Sequence, residues 1–329
     1  MNILIVSDFN IAGQCSMLME AINKYTNHKA RCINIYRDYF DYGYDIVLNQ
    51  ETFEEAASLA NTWADFYHFG SYIFNWPGVD FNKLANPGNC CIKYYGSYLR
   101  DNGQKCKEFH DTTGIKAITG TDWSITSLLG QSFYHLSSYF ARFGDTPVDE
   151  IPKCEIFTGK TLKICASSAG HPKKGYQVLV DVINELIKDG FSIELDVISG
   201  ISNDECLKRK RACHLNFGSL HGGWGLSGVE SMFMGQPTLT CLDPFVLSIY
   251  PNQPSILVNN KETLKDAIKS YFLPDAAREW YLKSILSTNF ANTTFRWREI
   301  IRRYMYVIDL IRNGDRYQQG GQLPEVIYE

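Results

Sequence analysis

The sequence predicts an α/β protein made of two consecutive doubly wound units. Its 329 residues are enough for about two domains of ordinary size. The chain starts with a short apolar run at 3–6, a glycine-bearing loop and an apolar stripe with helical spacing, as a doubly wound sheet does. After a proline-bearing connector at 146–152 the alternation of strands and helices begins again. We therefore expect two parallel sheets.

The first unit is recognised by short apolar runs separated by polar or proline–glycine turns. The loop from Asp8 to Gly13 follows the first run, and Pro77-Gly78 and Pro87-Gly88 mark later loops. The predicted elements are strands at 3–6, 32–35, 66–69, 91–95 and 115–119, and helices at 17–22 and 56–63.

The second unit shows the alternation more clearly. An apolar stripe at helical spacing runs through 176–187, directly after a strand and a loop of small residues. The predicted elements are strands at 161–166, 193–198, 214–217, 238–241 and 256–258, and helices at 176–187, 263–271, 276–285 and 295–311.

Composition and charge exclude several classes of protein. The hydrophobic fraction of 45% and the charged fraction of 21% are those of a globular protein. With 32 basic and 36 acidic residues the net charge is -4, which disfavours binding of nucleic acid through overall charge. The ten cysteines form no C-x-x-C pair or zinc-site pattern, and the chain shows neither a signal peptide nor an apolar stretch of membrane-spanning length. We expect a cytoplasmic protein with reduced cysteines.

The segment from Gly218 to Pro237 carries the clearest functional signal. It passes from a strand through a glycine-rich loop into a short helix that stops at Gly235. Glycines let the backbone approach a ligand, and the free N–H groups near Leu226 and Ser227 would bind phosphate. Glu230, one turn into the helix, would accept hydrogen bonds from ribose hydroxyls. The alternative remains open that Ser227-x-x-Glu230 is only a capping box.

A second segment supports a family resemblance. The strand that ends near Ser167 is followed by a small-residue loop, Lys174-Gly175 and an apolar helix, which resembles the phosphate-binding loop of family 4 glycosyltransferases. The Ser199-Gly200 strand end and the block from Gly225 to Pro237 follow in the order and spacing of that family. The resemblance implies the GT-B architecture, with two Rossmann-like domains facing a central cleft and a C-terminal helix that crosses back.

The resemblance also implies domain limits and donor-binding residues. The N-terminal acceptor domain would comprise 1–155, the nucleotide-sugar domain 156–290, and the helix and tail that pack back 291–329. Lys174 would neutralise the donor diphosphate and Glu230 would hold the ribose. The donor-binding set it implies is Gly13, His171, Lys174, Gly200, Gly225, Leu226, Ser227 and Glu230.

The sequence departs from the family pattern at the sugar side of the site. The first of two glutamates, eight positions before Glu230, is replaced by Gly222, and the histidine usual before a glycine is Tyr95. Together with Asp8 these positions are the candidates for the sugar or acceptor side. No residue is identified as a nucleophile.

The expected function is transfer of a sugar from a nucleoside diphosphate sugar to an acceptor, which is a glycan, a lipid-linked glycan, a protein or DNA. Retention follows from the resemblance, and no metal or other cofactor is expected because no Asp-x-Asp pair follows a strand and Lys174 with a helix N-terminus can stabilise the leaving diphosphate. The alternatives are a protein that binds nucleotide sugars without transfer, favoured by Gly222, and a nucleotide-sugar epimerase.

Two basic segments have simpler explanations than a charged partner. The run Lys208-Arg209-Lys210-Arg211 follows two acidic residues and is interpreted as a solvated helix face. The basic amphipathic helix that carries Arg296 and Arg303 is expected to pack back on the N-terminal domain, with peripheral contact to an anionic membrane as the alternative.

Overall fold

The first apolar run of the chain forms strand β1, Asn2–Ser7, in a seven-stranded parallel sheet. Its side chains alternate between the two faces, so that Ile3 and Ile5 join one core cluster while Leu4 and Val6 join another. All four are fully buried, as expected for a parallel strand covered on both faces. The structure is a computed structural model that describes residues 1–36, 43–94, 98–119, 133–136, 139–167 and 174–314.

The sheet of this first unit has the strand order β3-β2-β1-β4-β5-β6-β7. The chain runs outward from β1 to β3, then returns to the other side of β1 and continues to β7. Its other strands are β2 (Lys29–Asn34), β3 (Ile46–Val47), β4 (Phe66–Gly70), β5 (Cys90–Lys93), β6 (Lys116–Thr119) and β7 (Phe133–His135).

In the described ranges, the first unit has five helices, one of them from the far end of the sequence. They are α1 (Gln14–Tyr25), α2 (Phe53–Ser58), α3 (Phe81–Leu84), α4 (Tyr98–Thr113) and α11 (Trp297–Asn313). Helix α11 packs on α1 and buries an apolar stripe at helical spacing in the core. The residues of this stripe are Trp297, Ile300, Ile301, Tyr304, Val307, Ile308 and Ile311.

The second unit contains a five-stranded parallel sheet in the order β12-β11-β10-β8-β9. Its strands are β8 (Leu162–Ala166), β9 (Ile193–Val197), β10 (Leu215–Ser219), β11 (Thr238–Thr240) and β12 (Ile256–Leu257). Its helices are α5 (Tyr176–Lys188), α6 (Asn203–Arg211), α7 (Gly225–Phe233), α8 (Pro244–Ile249), α9 (Lys261–Lys269) and α10 (Ala276–Thr294).

The two compact units divide at Phe140 and Ala141, and again at Arg296 and Trp297. Unit 1 contains the chain up to Phe140 together with α11, and unit 2 is the continuous segment Ala141–Arg296. Two parallel α/β sheets confirm the predicted fold class. The functional domain limits at 155 and 290 stay predictions.

Some elements differ from the sequence prediction. Helix α4 was not predicted, because its sequence is mostly polar and contains Gly103, and its backbone is kinked at Asn102. Helix α10 extends well beyond the predicted end at 285. All ten cysteines are free thiols and most of them are buried. No helix in the described ranges is both long enough and apolar enough to cross a membrane.

Candidate functional site

The strand order of unit 2 creates a crevice between the carboxyl ends of β8 and β10. The chain leaves β8 towards β9 on one side and later returns to form β10 on the other side of β8. Ligands of doubly wound proteins bind at such a reversal, outside the carboxyl ends of the strands. The loop that precedes Lys174 and the glycine-rich loop that precedes α7 both start from this point.

Lys174 lies against the glycine-rich loop. Its carbonyl oxygen accepts a hydrogen bond of 3.0 Å from the N–H of Leu220, so the loops after β8 and β10 are joined here. The next residue, Gly175, has a φ of +77°, and a Cβ at this position would lie 2.8 Å from the Leu220 side chain. Glycine is therefore required for this close approach. His171 lies outside the described residues.

The loop after β10 and the first position of α7 contain three glycines in left-handed conformation. Gly222, Gly223 and Gly225 have φ values of +77°, +97° and +60°. Gly223 is tied to the end of β11, since its N–H donates to the Cys241 carbonyl and its own carbonyl accepts from the Thr240 hydroxyl. A glutamate in place of Gly222, as in the family pattern, would need a backbone conformation that is unfavourable for it.

Trp224 fixes the start of α7. Its indole Nε1–H donates a 2.8 Å hydrogen bond to Ser255 Oγ, and its ring packs on the rings of Tyr250, Phe290 and Phe295. The N–H of Gly228 makes a bond of 3.2 Å to the Trp224 carbonyl. The N–H groups of Gly225, Leu226 and Ser227 come before this bond, in the first turn, where a helix offers unpaired donors and positive potential to an anion.

The Ser227 side chain belongs to an internal network below this turn. Its hydroxyl pairs with the hydroxyl of Ser167, at the end of β8, and lies 3.3 Å from Asn216 Oδ1 on β10. Ser227 thus joins the carboxyl end of β8 to Asn216 on β10.

Glu230 is buried and is bound at both carboxylate oxygens. Oε2 lies 3.2 Å from Lys210 Nζ, and Oε1 accepts a 3.1 Å hydrogen bond from Asn203 Nδ2. The capping-box alternative is wrong, because Trp224 is the N-cap and Ser227 already lies inside the helix. The carboxylate therefore does not cap the start of α7. It lies one helical turn beyond the candidate anion site.

The sequence predicted that the four basic residues at 208–211 form one solvated helix face. This prediction is wrong. Lys210 is fully buried, whereas the Lys208 side chain is 76% exposed and lies 3.6 Å from Glu205. Arg209 pairs with Asp196 on β9. Lys210 follows Leu207 by three positions, and both lie on the buried side of α6, a spacing that could have identified it.

Gly200 lies in the loop between β9 and α6. Its φ is +67°, and a Cβ there would meet open space, so the left-handed backbone alone favours glycine. The loop ends at Ser202, which caps α6 by accepting from the Glu205 N–H at 3.3 Å. Asn203 starts the helix, and its side chain reaches Glu230. Asn203, Lys210, Asn216 and Trp224 were not recognised from the sequence, because only the fold brings them to the site.

Asp8 and Gly13 lie in unit 1, at the corresponding chain reversal between β1 and β4. Asp8 Oδ1 accepts from the Phe9 N–H at 2.9 Å, which shapes the turn after β1. Gly13 has a φ of +73° and directly precedes α1, in a loop closed by its N–H bond to the Asn10 carbonyl. Tyr95 lies outside the described residues.

A buried lysine lies at the carboxyl end of β5 in the same unit. Burial lowers the pKa of Lys93 to about 8, and its ammonium lies 5.8 Å from the centre of the Phe140 ring. No motif or spacing in the sequence had pointed to this lysine. In the described parts of the chain, no group of three or more His, Cys, Asp or Glu side chains is arranged to hold a metal ion.

No family model matches the sequence, and no curated protein matches it either. Solved structures are similar along nearly the whole chain. A sucrose-phosphate synthase from Thermosynechococcus elongatus is 11% identical, with a TM-score of 0.64 over 95% of this chain and 100% of that chain. A glycosyltransferase from Rickettsia africae is 13% identical, with a TM-score of 0.64 over 94% of this chain and 98% of that one.

A third similar structure is an α-glucosyltransferase bound to UDP and a 13-mer DNA that contains an HMU base. It is 10% identical, with a TM-score of 0.63 over 94% of this chain and 99% of that one. Identities this low establish the fold alone. The structural similarity confirms that the chain has the GT-B fold with two Rossmann-like units, as the sequence predicted.

Proposed function

We propose that the protein is a glycosyltransferase that moves a sugar from a nucleoside diphosphate sugar to an acceptor, with retention and without a metal. One observation carries the proposal. Lys174, the first turn of α7 and Glu230 are brought to one chain reversal in a fold that is similar to those of solved glycosyltransferases. This combination offers a cation and backbone donors for a diphosphate and a carboxylate for a ribose.

The chemistry follows from the charge that develops when the donor is cleaved. Breaking the bond between the sugar and the diphosphate builds negative charge on the leaving oxygen. The Lys174 ammonium and the N–H groups of Gly225, Leu226 and Ser227 would stabilise this charge. The Leu220 bond holds the backbone of Lys174, and Trp224 fixes the start of α7. Glu230 would orient the nucleoside by accepting from the ribose hydroxyls.

The donor and acceptor are proposed only by class. Among the similar structures, the α-glucosyltransferase contains UDP and DNA, and a starch synthase IV domain from Arabidopsis thaliana contains ADP and acarbose. We therefore propose UDP and ADP sugars as the first donors to test. Gly222 and Asp8 are the described candidates for the sugar or acceptor side, and the acceptor itself is left to experiment.

The role of Glu230 is tested by a cycle that combines one change in the protein with one change in the nucleotide. Nucleoside diphosphates and their 2′,3′-dideoxy analogues are titrated into the parent and into Glu230→Gln. We expect Glu230→Gln to weaken binding of the ribose form by about 1–3 kcal/mol, because it removes charge-assisted hydrogen bonds. The dideoxy form should bind equally to both proteins. Equal losses for both nucleotides would contradict a ribose contact and indicate a general distortion of the site.

Metal independence and turnover are tested in one assay. The parent is incubated with UDP-glucose or ADP-glucose, with EDTA or Mn²⁺, and release of the nucleoside diphosphate is measured. We expect the same rate under both conditions, because Lys174 and the α7 N-terminus perform the role of a cation. Activity that needs Mn²⁺ would show that the diphosphate site is misassigned.

A second candidate function is favoured by Gly222. Glycine lacks the carboxylate that the family pattern has at this position, and its left-handed backbone is unfavourable for a glutamate. The protein would then bind a nucleotide sugar without transferring it. Tight nucleotide binding with neither hydrolysis nor transfer across donors and acceptors would support this candidate instead. Lys174→Ala should lose nucleotide affinity in either case, whereas Lys208→Ala should not.

A further inference from the structure

The pair formed by Lys210 and Glu230 is more deeply buried than an ordinary salt bridge. The two side chains are 0% and 5% exposed. The carboxylate uses one oxygen for Lys210 and the other for Asn203. A carboxylate has about four acceptor positions, so two of them remain for hydroxyl groups of a ligand.

The Lys210 ammonium is fully satisfied by three acceptors. Besides Glu230 Oε2, its Nζ donates to the Ser227 carbonyl at 2.7 Å and lies 3.2 Å from Ser227 Oγ. An ammonium has three N–H donors, so these contacts fix its position. Since Ser227 belongs to the first turn of α7, Lys210 connects the carboxylate to the candidate anion site.

Such a pair is a poor device for stability. Replacing a buried ion pair by apolar side chains often leaves the stability unchanged or raises it. A buried carboxylate without a cation, in contrast, is driven to bind a proton. The Lys210 contact is therefore better explained by what it does to the Glu230 carboxylate than by its contribution to folding.

We infer that Lys210 and Asn203 are positioning residues that keep the Glu230 carboxylate ionised and correctly oriented for ribose hydroxyls. Lys210 balances the negative charge of the Glu230 carboxylate, and Asn203 fixes the rotation of the carboxylate. Asn203 directly follows the loop that contains Gly200, another residue of the expected donor-binding set, so this loop leads straight into the ribose contact. The inference rests on the proposed function of Glu230.

The other groups around the pair remain in one charge state near neutral pH. Cys206 on α6 and Cys165 on β8 face it, and burial raises the pKa of both thiols. Arg209 is held by Asp196, and the nearby Asn203, Asn216 and Ser227 do not titrate.

The test measures the ribose preference, defined as the dissociation constant of a 2′,3′-dideoxynucleoside diphosphate divided by that of its ribose form. UDP and ADP are the probes, each titrated by calorimetry at pH 6.5 and pH 8.5. The full-length variants are Lys210→Met, Lys210→Arg, Asn203→Ala and, as the matched control on the same helix, the exposed Lys208→Met. Melting temperatures identify any variant that does not fold.

We expect a preference of at least tenfold in the parent at both pH values. Lys210→Met should lose most of it at pH 6.5 and regain part of it at pH 8.5, where the carboxylate ionises without its cation. Lys210→Arg and Lys208→Met should keep it. Asn203→Ala should lower it about threefold at both pH values, as expected for one lost hydrogen bond of ordinary strength.

Two results would overturn the inference. One is a folded Lys210→Met protein that keeps the full preference at pH 6.5. If that variant does not fold, an unchanged preference in Asn203→Ala is the other. Failure of the proposed function gives a different pattern, because the parent itself would then bind neither probe or would show no ribose preference.

Discussion

Gly175 is the residue at which the two loops of the candidate site meet. Its φ of +77° disfavours any side chain. An added Cβ would lie 2.8 to 2.9 Å from three atoms of the Leu220 side chain. Gly190, after α5, has a similar φ of +94° but open space around it. The two positions share the conformational cost of alanine and differ in the steric cost.

This contrast gives a prediction at the residue scale. Gly190→Ala should lower the free energy of unfolding by about 1 kcal/mol, the usual cost of alanine in left-handed backbone. Gly175→Ala should cost about 1–3 kcal/mol more, because the loop must also move away from Leu220. Urea unfolding of both variants measures the difference. Equal losses would mean that the Lys174 loop does not depend on this contact.

Site residues could be predicted where the order of strand, loop and helix along the chain points to them. Lys174 and Glu230 follow a strand, a small-residue loop and a helix start, which a sequence displays directly. Lys210 looked like part of a solvated basic run, because its burial depends on α7 packing above it. Partners of this kind are created by the fold and leave only a weak spacing signal.

At the scale of elements, β4 and α11 are joined in unit 1 by a buried pair. The Tyr304 hydroxyl lies 2.7 Å from Nδ1 of His68, which is fully buried. Burial, assisted by the charge of Lys93, lowers the pKa of His68 to about 3. The folded protein therefore keeps a neutral imidazole at pH values where the unfolded chain binds a proton.

The sign of the pH dependence follows from this shift. The contribution of His68 is complete above its unfolded pKa of 6.5 and is lost as the pH falls towards 3. At pH 5 the free energy of unfolding should therefore be lower by about 2 kcal/mol, because each pH unit below 6.5 costs about 1.36 kcal/mol. We expect His68→Gln to abolish this part of the acid sensitivity and Tyr304→Phe to retain it. Urea unfolding at pH 7 and pH 5 checks both, and an unchanged acid slope in His68→Gln would contradict the assignment.

Elements with a strong apolar pattern were predictable, and others were not. The strand β1 and the stripe of α11 are continuous or periodic in apolar residues, so their type could be read directly. Helix α4 is polar and kinked, and β3 has two residues, so each is stabilised by its place in the fold more than by its own sequence.

At the scale of the whole molecule, the two units differ in how the chain builds them. The sequence predicted two α/β units because the alternation restarts after the connector at 146–152. The compact unit 2 is continuous, and its core cluster uses residues from Cys154 to Trp280 only. Unit 1 needs α11 from the other end of the chain, because the α11 stripe fills one side of its core.

The ends of unit 2 are held together by Arg296. Its guanidinium Nη1 donates to the carbonyl oxygens of Phe143, at 3.2 Å, and of Thr146. All the donor-site residues assigned in this unit, from His171 to Glu230, lie between these ends in the sequence. A fragment of 141–296 therefore contains its own core, joined ends and every donor-site residue assigned to unit 2.

We accordingly expect the fragment 141–296 to unfold cooperatively and to bind UDP or ADP within about tenfold of the full chain, since affinity resides in its own contacts. The matched fragment 1–140 lacks α11 and should fail to fold, because one side of its core would be open to water. Circular dichroism and calorimetry on both fragments measure these outcomes. A folded 141–296 fragment that binds neither nucleotide would show that affinity requires residues of unit 1, and the donor site assigned to β8, β10 and α7 would then be incomplete.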